Sequence, residues 1–455
     1  MENLRTSSYM IPIKLEQEEG KYMLIHGYTG AADIISESFL GKIKSIEEGH
    51  NFSEFMLQTL LKRGYITTKT QDEEYEYVAR IAKALHKESD ILLTSFTWVV
   101  SYNCNFRCPY CFEERNLKDG KTVLVFTKEQ VDIAYETQDR IQPHRKLRKN
   151  IITLYGGEPL LAENKEIVNY IVDEGRRRGY KFVAVTNGYE IDQFVNLLGE
   201  DGIYRLQITL DGPREIHNQR RIHYKNHDTF DKIISNIQLA LDKGTRVVVR
   251  MNSDGRNIDQ YIALKEYLER KHFFDNPNFY FYIARLRGYY NISDAERESL
   301  TFMSPQQFDL KRYQLKAIPF SQDTGYYKLI YQALVNKKSI PFRPLACKAQ
   351  TGEYVLDPLG NIYPCWETVG KKEHIKGIYT KNRITWNKQV LEKWQDIDVS
   401  QKEPCKYCKY ALFCGGGCPY HRMLLGNEEQ QCIIFRNMFK SAINKAYAEL
   451  NKQIN

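Results

Sequence analysis

The stretch "SFTWVVSYNCNFRCPYC", residues 95–111, decides the fold. It opens with "SFTWVVS" (95–101), an aromatic and β-branched run with the composition of a strand buried on both faces. It then breaks into a tight loop with cysteines spaced C-x3-C-x2-C, at Cys104, Cys108 and Cys111. Three thiolates are one fewer than a closed zinc or cubane iron–sulfur site uses. Either a remote residue such as His217 completes the set, or one metal position is left open.

Working outward, five more strand candidates follow: "NIITLYG" (150–156), "KFVAVTN" (181–187), "YRLQITL" (204–210), "RVVVRMN" (246–252) and "FYFYIARL" (279–286). Helical patterns such as "NKEIVNYIVDEGRRRG" and "TFDKIISNIQLALDKG" alternate with them. Repeated strand–helix units predict a parallel sheet. Six are too few to close an eight-stranded barrel, so the α/β expectation for residues 95–310 is a partial (β/α)6 TIM-like barrel. Ligands of parallel barrels sit at the C-terminal strand ends, and the remaining motifs fall there. "YGGEP" (155–159) offers Gly156 and Gly157 for close backbone approach and Glu158 to accept from a ligand ammonium. "TNG" (186–188) offers Thr186 and Asn187, and "TLDGP" (209–213) places Asp211 in a tight turn. Each is a common turn signal by itself; their succession after consecutive strands is the stronger observation.

The chain has 455 residues, 42% hydrophobic and 27% charged, enough for two to four packed domains. No apolar run approaches a membrane span, and "MENLRTSSYMIPIKLEQEEG" lacks the layout of a signal peptide. The expectation is a cytoplasmic protein, without membrane association. The net charge of +8 is spread thinly, and "PHRKLRKN" (143–150) reads as a solvated loop. No organised basic face predicts nucleic-acid binding; an acidic partner peptide suits the modest positive charge equally well.

Residues 1–88 read as a separate unit. "YMIPIKL" and "KYMLIHGY" flank a hairpin turn. "AADIISESFLGKIKSI", "SEFMLQTLLKRG" and "DEEYEYVARIAKALHKE" show helical spacing, with Ser53 as an N-cap and Gly64 as a stop. A hairpin with three helices is a winged-helix pattern; a structural cap is the plainer alternative. Residues 311–345 read as a connector and 436–455 as a C-terminal helix. Between them, residues 346–435 hold the other seven cysteines, and residues 112–346 hold none. Cytosolic disulfides are rare, so this segregation points to metal or redox chemistry.

The cysteine loop resembles that of radical S-adenosylmethionine (SAM) enzymes, with the family's C-x3-C-x2-C unaltered and Tyr110 in the aromatic position before the last cysteine. The resemblance spans roughly residues 95–300. It implies a [4Fe–4S] cluster on Cys104, Cys108 and Cys111 whose open iron chelates SAM. It also implies a SAM site of Tyr110, Gly156, Gly157, Glu158, Thr186, Asn187 and Asp211. Reductive SAM cleavage then yields a radical that abstracts a substrate hydrogen. Residues 346–435 resemble SPASM domains, which carry two auxiliary [4Fe–4S] clusters. The implied ligands are Cys347, Cys365 and Cys418 for the first, and Cys405, Cys408, Cys414 and Cys432 for the second. The first set is one short of four, leaving an open iron or a non-cysteine ligand. A zinc scaffold is the alternative, for which seven cysteines is an awkward count.

Two branches of SPASM enzymes compete. Sulfatase maturases place an aspartate directly after the cysteine matching Cys365; here Trp366 stands there, followed by Glu367. Many peptide maturases carry an N-terminal winged-helix domain that binds the leader of a ribosomally made precursor, which is the layout of residues 1–88. "DGPREIHNQRR", with His217, Asn218 and Arg221, fits the same branch. The expected function is therefore a radical SAM/SPASM peptide maturase that installs a cross-link, a thioether foremost. Its partners would be a leader-bearing precursor peptide and a reductant such as flavodoxin or ferredoxin. Formylglycine generation is the alternative within the family, and a non-enzymatic electron carrier the alternative outside it.

Overall fold

A computed structural model describes residues 4–49, 52–89, 93–111, 125–287, 300–317, 326–343, 345–395, 399–425 and 428–454. The chain forms two units. One comprises Met1–Leu92, Ser321–Thr351 and Lys393–Asn455; the other comprises Leu93–Phe320 and Gly352–Glu392.

In the first unit, β1 (Arg5–Thr6) pairs with β5 (Ile66–Thr67), and β2 (Met10–Lys14), β3 (Lys21–His26) and β4 (Ala32–Ser36) form an antiparallel sheet in that order. β2 and β3 are the expected hairpin. Ala32–Ser36 differs from the expectation of helix. The Ser36 side chain accepts from Phe39 N and caps α1 (Glu37–Lys44), so the helix starts after the β-branched pair Ile34–Ile35, which pairs with β3 instead. α2 (Glu54–Arg63) has the predicted Ser53 cap and stops at Gly64, whose φ is 89°. α3 (Gln71–Ser89) turns Val78 and Ala82 inward.

This sheet does not stand alone. Ile11, Ile13, Met23 and Ile25 share a core with Ile330, Phe413, Phe439 and Ile443 from the later segments of the same unit. The C-terminal helix runs Glu428–Ile454, beginning before residue 436, so Cys432 lies on it.

The second unit contains the predicted strands: β6 (Thr94–Ser101), β7 (Arg148–Gly156), β8 (Lys181–Thr186), β9 (Ile203–Thr209), β10 (Arg246–Ser253) and β11 (Phe279–Arg285). They are parallel and lie in sequence order, the arrangement of a partial barrel. Alternate residues, including Trp98, Leu154, Ala184, Ile208 and Val249, form one core with α4 (Lys128–Ile141), α5 (Lys165–Arg177), α7 (Phe230–Asp242) and α8 (Tyr261–Arg270), which cover one face. The short α6 (Arg214–Arg220) follows β9.

The sheet continues past β6. β12 (Glu353–Leu356) pairs with β6 in parallel, followed antiparallel by β13 (Asn361–Tyr363), β14 (Gly377–Tyr379) and β15 (Ile384–Trp386). These strands have only three or four residues each, too short for a periodicity signal. Among the described residues no helix is long and apolar enough to cross a membrane.

Candidate active site

The strand ends of the second unit converge on the cysteine loop. Gly156 has φ 127°, and a Cβ there would lie 2.2 Å from Ser101 O. A Cβ on Gly157 would lie 2.5 Å from both Tyr102 O and Asn103 O. Only glycine lets the end of β7 lie this close to the loop leaving β6. Gly157 N and Glu158 N then donate to Ser101 O and Asn103 O, at 3.0 and 2.8 Å. On the other side the loop is stitched to residues 222–224: Arg107 N donates to Ile222 O and Tyr224 N to Asn105 O.

Glu158 is 2% exposed. Its carboxylate accepts from Thr186 Oγ1 (2.6 Å), Asn187 N (2.5 Å) and Leu160 N (2.9 Å). Burial pushes its pKa up to about 7, although these donors favour the anion. The side chain thus ties the end of β7 to the end of β8. Asn187 Nδ2 reaches back to Asn105 Oδ1 in the cysteine loop at 2.7 Å.

Asp211 is a second junction, fully buried. It accepts from the Tyr110 hydroxyl and from Asn252 N, and Arg220 stands 3.7 Å away. Asn257 Nδ2 donates to Asp211 O at 2.8 Å. The ends of β9 and β10 are therefore locked to Tyr110. Arg221, at the end of α6, donates to Cys108 Sγ at 3.2 Å and to the Tyr110 hydroxyl at 3.4 Å. Burial disfavours its charge, but Cys108, Tyr110 and Asp211 outweigh that and hold it protonated.

His217 is spent on the fold. Its Nδ1 accepts from Asp211 N at 3.3 Å and its Nε2 meets Thr229 Oγ1 at 3.1 Å. Burial and the nearby Arg221 push its pKa down, leaving a neutral imidazole with both nitrogens engaged; it completes no metal set. Asn218 Oδ1 accepts from Thr229 N and Phe230 N at the start of α7. It joins the two helices through hydrogen bonds, beside the ion pair of Arg214 with Asp231.

Glu158 and Asp211, together with Thr186, Asn187 and Tyr110 that bond to them, are legible in the sequence as site residues; three further members of the network are not. Asn105, Arg220 and Asn252 carry no motif of their own, although Arg220 sits within "HNQRR".

In the first unit, Cys405, Cys408, Cys414 and Cys432 lie within electrostatic reach of one another. Burial pushes the Cys414 thiol up to about 12, reinforced by the other three. Arg422 Nη2 donates to Cys405 Sγ at 3.1 Å. The run Gly415-Gly416-Gly417 has φ of 63°, 88° and 79°, three consecutive left-handed residues that side chains would resist. Among the described residues no group of three or more His, Cys, Asp or Glu side chains is placed to hold one metal ion. Four thiols gathered in one place, beside glycine backbone and with a guanidinium on Cys405, fit the ligand set of a cubane cluster. Cys347 and Cys418 also belong to the first unit, whereas Cys365 belongs to the second. After Cys365, the Trp366 ring stacks on Tyr155 at 5.6 Å.

Comparison with known proteins agrees with this geometry. The Radical SAM superfamily matches residues 98–268. The cysteine-type anaerobic sulfatase-maturating enzyme of Clostridium novyi is 23% identical over 365 residues, 76% of this chain and 94% of its own. The radical SAM cyclopropyl synthase TigE of Paramaledivibacter caminithermalis is 22% identical over 91% of this chain and 89% of its own. Among solved structures, native anSMEcpe with bound AdoMet has a TM-score of 0.54 and 18% identity, covering 79% of this chain and 99% of that one. Streptococcus suis SuiB has a TM-score of 0.51 and 15% identity, covering 91% and 95%. At these identities the structures show the fold alone. Residues 98–268 of this chain are a Radical SAM superfamily domain.

Proposed function

We propose that this enzyme is a radical SAM/SPASM peptide maturase that installs a cross-link in a ribosomally made precursor. The observation that carries the reading is the convergence of four strand ends on Cys104, Cys108 and Cys111, with glycine backbone and buried polar side chains around them. Those cysteines would hold a [4Fe–4S] cluster with one iron open. Bound there, cluster and SAM supply a radical that removes a substrate hydrogen.

The chain's own residues do the rest. Gly156 and Gly157, whose backbone lies against the cysteine loop, would leave room for the amino group of bound SAM. Glu158, Thr186 and Asn187 fix the rim on one side, and Asp211 holds Tyr110 on the other, where the adenine would be received. Arg221 places positive charge against Cys108, which favours the thiolate. Cys405, Cys408, Cys414 and Cys432 would hold one auxiliary cluster, and Cys347, Cys365 and Cys418 the other. Such clusters can take the electron that closing a bond on a substrate radical releases. A thioether is the favoured product, since the three-cysteine cluster leaves room for substrate thiolate. The sheet β2–β3–β4 would take the leader as an added strand along β4, and flavodoxin or ferredoxin would supply electrons.

The sulfatase-maturating relatives favour a second reading, oxidation of a single cysteine to formylglycine. Trp366, stacked on Tyr155, stands where that branch has its aspartate. One experiment separates the two. A short cysteine-bearing peptide encoded beside this chain is incubated with reconstituted enzyme, SAM and reductant, then alkylated and sequenced by tandem mass spectrometry. The proposal expects loss of two hydrogens per link and a cysteine protected from alkylation. Formylglycine at an isolated cysteine moves the protein to the second reading; two hydrogens lost with the cysteine still alkylatable eliminates the thioether.

A further inference from the structure

An arginine donates to a cysteine sulfur in each unit. In the second unit Arg221 Nη1 lies 3.2 Å from Cys108 Sγ. In the first, Arg422 Nη2 lies 3.1 Å from Cys405 Sγ. Both side chains are held in place. Arg221 Nη1 also reaches the Tyr110 hydroxyl at 3.4 Å, and its guanidinium carbon stands 5.2 Å from the centre of the Phe106 ring. Arg422 is 5% exposed, and a Cβ on Gly417 would lie 3.6 Å from its Nε.

Arg220 shows what sets Arg221 apart. Its guanidinium meets carboxylates, 3.1 Å from Asp254 and 3.7 Å from Asp211. Among the described residues no carboxylate pairs with Arg221, and its Nη1 goes to sulfur and phenol instead. A charge taken out of water is costly without a counter-charge. A protonated thiol is neutral; an iron-bound thiolate is the better match. A cysteine sulfur bonded to one iron keeps lone pairs, so it can still accept from a guanidinium.

The potential of an iron–sulfur cluster depends on net charge and on hydrogen bonds to its sulfurs. Reduction makes a cluster one charge more negative. A fixed cation donating to a ligand sulfur stabilises that state more than the oxidised one, and so eases reduction.

We propose that Arg221 and Arg422 set cluster potentials. Arg221 raises that of the cluster on Cys104, Cys108 and Cys111, and Arg422 that of the cluster on Cys405, Cys408, Cys414 and Cys432. The proposal rests on the reading of these cysteines as cluster ligands. Its test is a dye-mediated redox titration of the reconstituted full chain, followed by the electron paramagnetic resonance signal of each reduced cluster. The Cys104→Ala, Cys108→Ala, Cys111→Ala triple variant lacks the first cluster, which assigns the signals. Arg221→Gln keeps an amide donor and loses the charge. It should lower the reduction equilibrium of the first cluster about tenfold, a fall of about 59 mV for one electron, and leave the signals that persist in the triple variant unmoved. Arg221→Lys keeps the charge and should stay closer to the unaltered chain. Arg422→Gln should do the converse, moving a persisting signal and not the first. An unmoved midpoint, an equal fall in the glutamine and lysine variants, or a fall in every cluster at once overturns the proposal. Lost SAM affinity with an unmoved midpoint assigns Arg221 to the SAM carboxylate and overturns its part. The unaltered chain is assayed for 5′-deoxyadenosine in parallel. Cleavage with unmoved midpoints sinks the arginine role and spares the enzyme reading. Shifted midpoints without cleavage keep the role and sink that reading, and a chain that takes up no iron overturns both.

Discussion

Replacing Glu158 with alanine should unfold the strand-end architecture before it affects ligand chemistry. The Glu158 carboxylate is 2% exposed and accepts from Asn187 N, Leu160 N and Thr186 Oγ1. The hydroxyl can rotate to another acceptor, but the two amides cannot. Each buried donor left unpaired costs about 1–3 kcal/mol, so Glu158→Ala should destabilise the second unit by roughly 2–6 kcal/mol. That is a large share of the roughly 5–15 kcal/mol that holds a domain together. Glu158→Gln keeps the shape and one carbonyl, and turns one donor against Asn187 N, at a cost of about 1–3 kcal/mol. The assay is urea denaturation of both variants, followed by near-UV circular dichroism. It belongs about one pH unit above the Glu158 pKa of about 7, where the carboxylate is ionised. A stability change under about 0.5 kcal/mol in Glu158→Ala, the range of an ordinary surface substitution, together with lost SAM affinity would refute the reasoning. The carboxylate would then bond ligand rather than strand ends.

Three further outcomes are expected. Burial lowers the His26 pKa from 6.5 to about 4, so its neutral form is favoured on folding; that stability is present above pH 6.5 and lost as pH falls towards 4, about 3 kcal/mol in all at 1.36 kcal/mol per unit. Urea midpoints measured across that window should fall with pH, and His26→Asn should flatten the slope; an unchanged slope would remove His26 from the account. Gly157→Ala puts a Cβ 2.5 Å from two carbonyl oxygens of the cysteine loop, so iron bound by the triad after reconstitution should drop while Gly41→Ala on α1, with open space around it, leaves iron content unchanged. Deleting residues 1–88 should give aggregated protein, because Ile11, Ile13, Met23 and Ile25 share a core with Phe413 and Phe439. The leader reading is better tested by Ile34→Asp on β4, 45% exposed, which should weaken leader-peptide binding by fluorescence polarisation without moving the melting temperature.

The barrel was legible because its six strands are long, apolar and separated by amphipathic helices, and their bounds fell within a residue or two of those read from pattern. The site was legible where a residue type is chemically unusual, as with Cys104, Cys108 and Cys111, or where glycine marks close backbone approach, as at Gly156 and Gly157. What escaped has physical reasons. β4 escaped because "AADIIS" has no internal period to distinguish it from the helix it feeds. β12 to β15 escaped because their pairing partners lie far off in sequence; β12 is held by β6, whose paired residues precede it by about 260 positions. The roles of Glu158 and Asp211 were half legible. Their acidity suggested ligand contact, whereas three donors on Glu158 and the Tyr110 hydroxyl on Asp211 show that much of each carboxylate is spent joining strand ends.

The central claim is that the cysteine loop of β6 supports reductive SAM chemistry. Its most direct test is anaerobic reconstitution, reduction with dithionite and chromatographic measurement of 5′-deoxyadenosine, beside a Cys104→Ala, Cys108→Ala, Cys111→Ala triple variant. The account predicts 5′-deoxyadenosine from the unaltered chain and none from the variant, which keeps the iron of its other seven cysteines. Zinc in place of iron, or 5′-deoxyadenosine formed equally by both proteins, would contradict it.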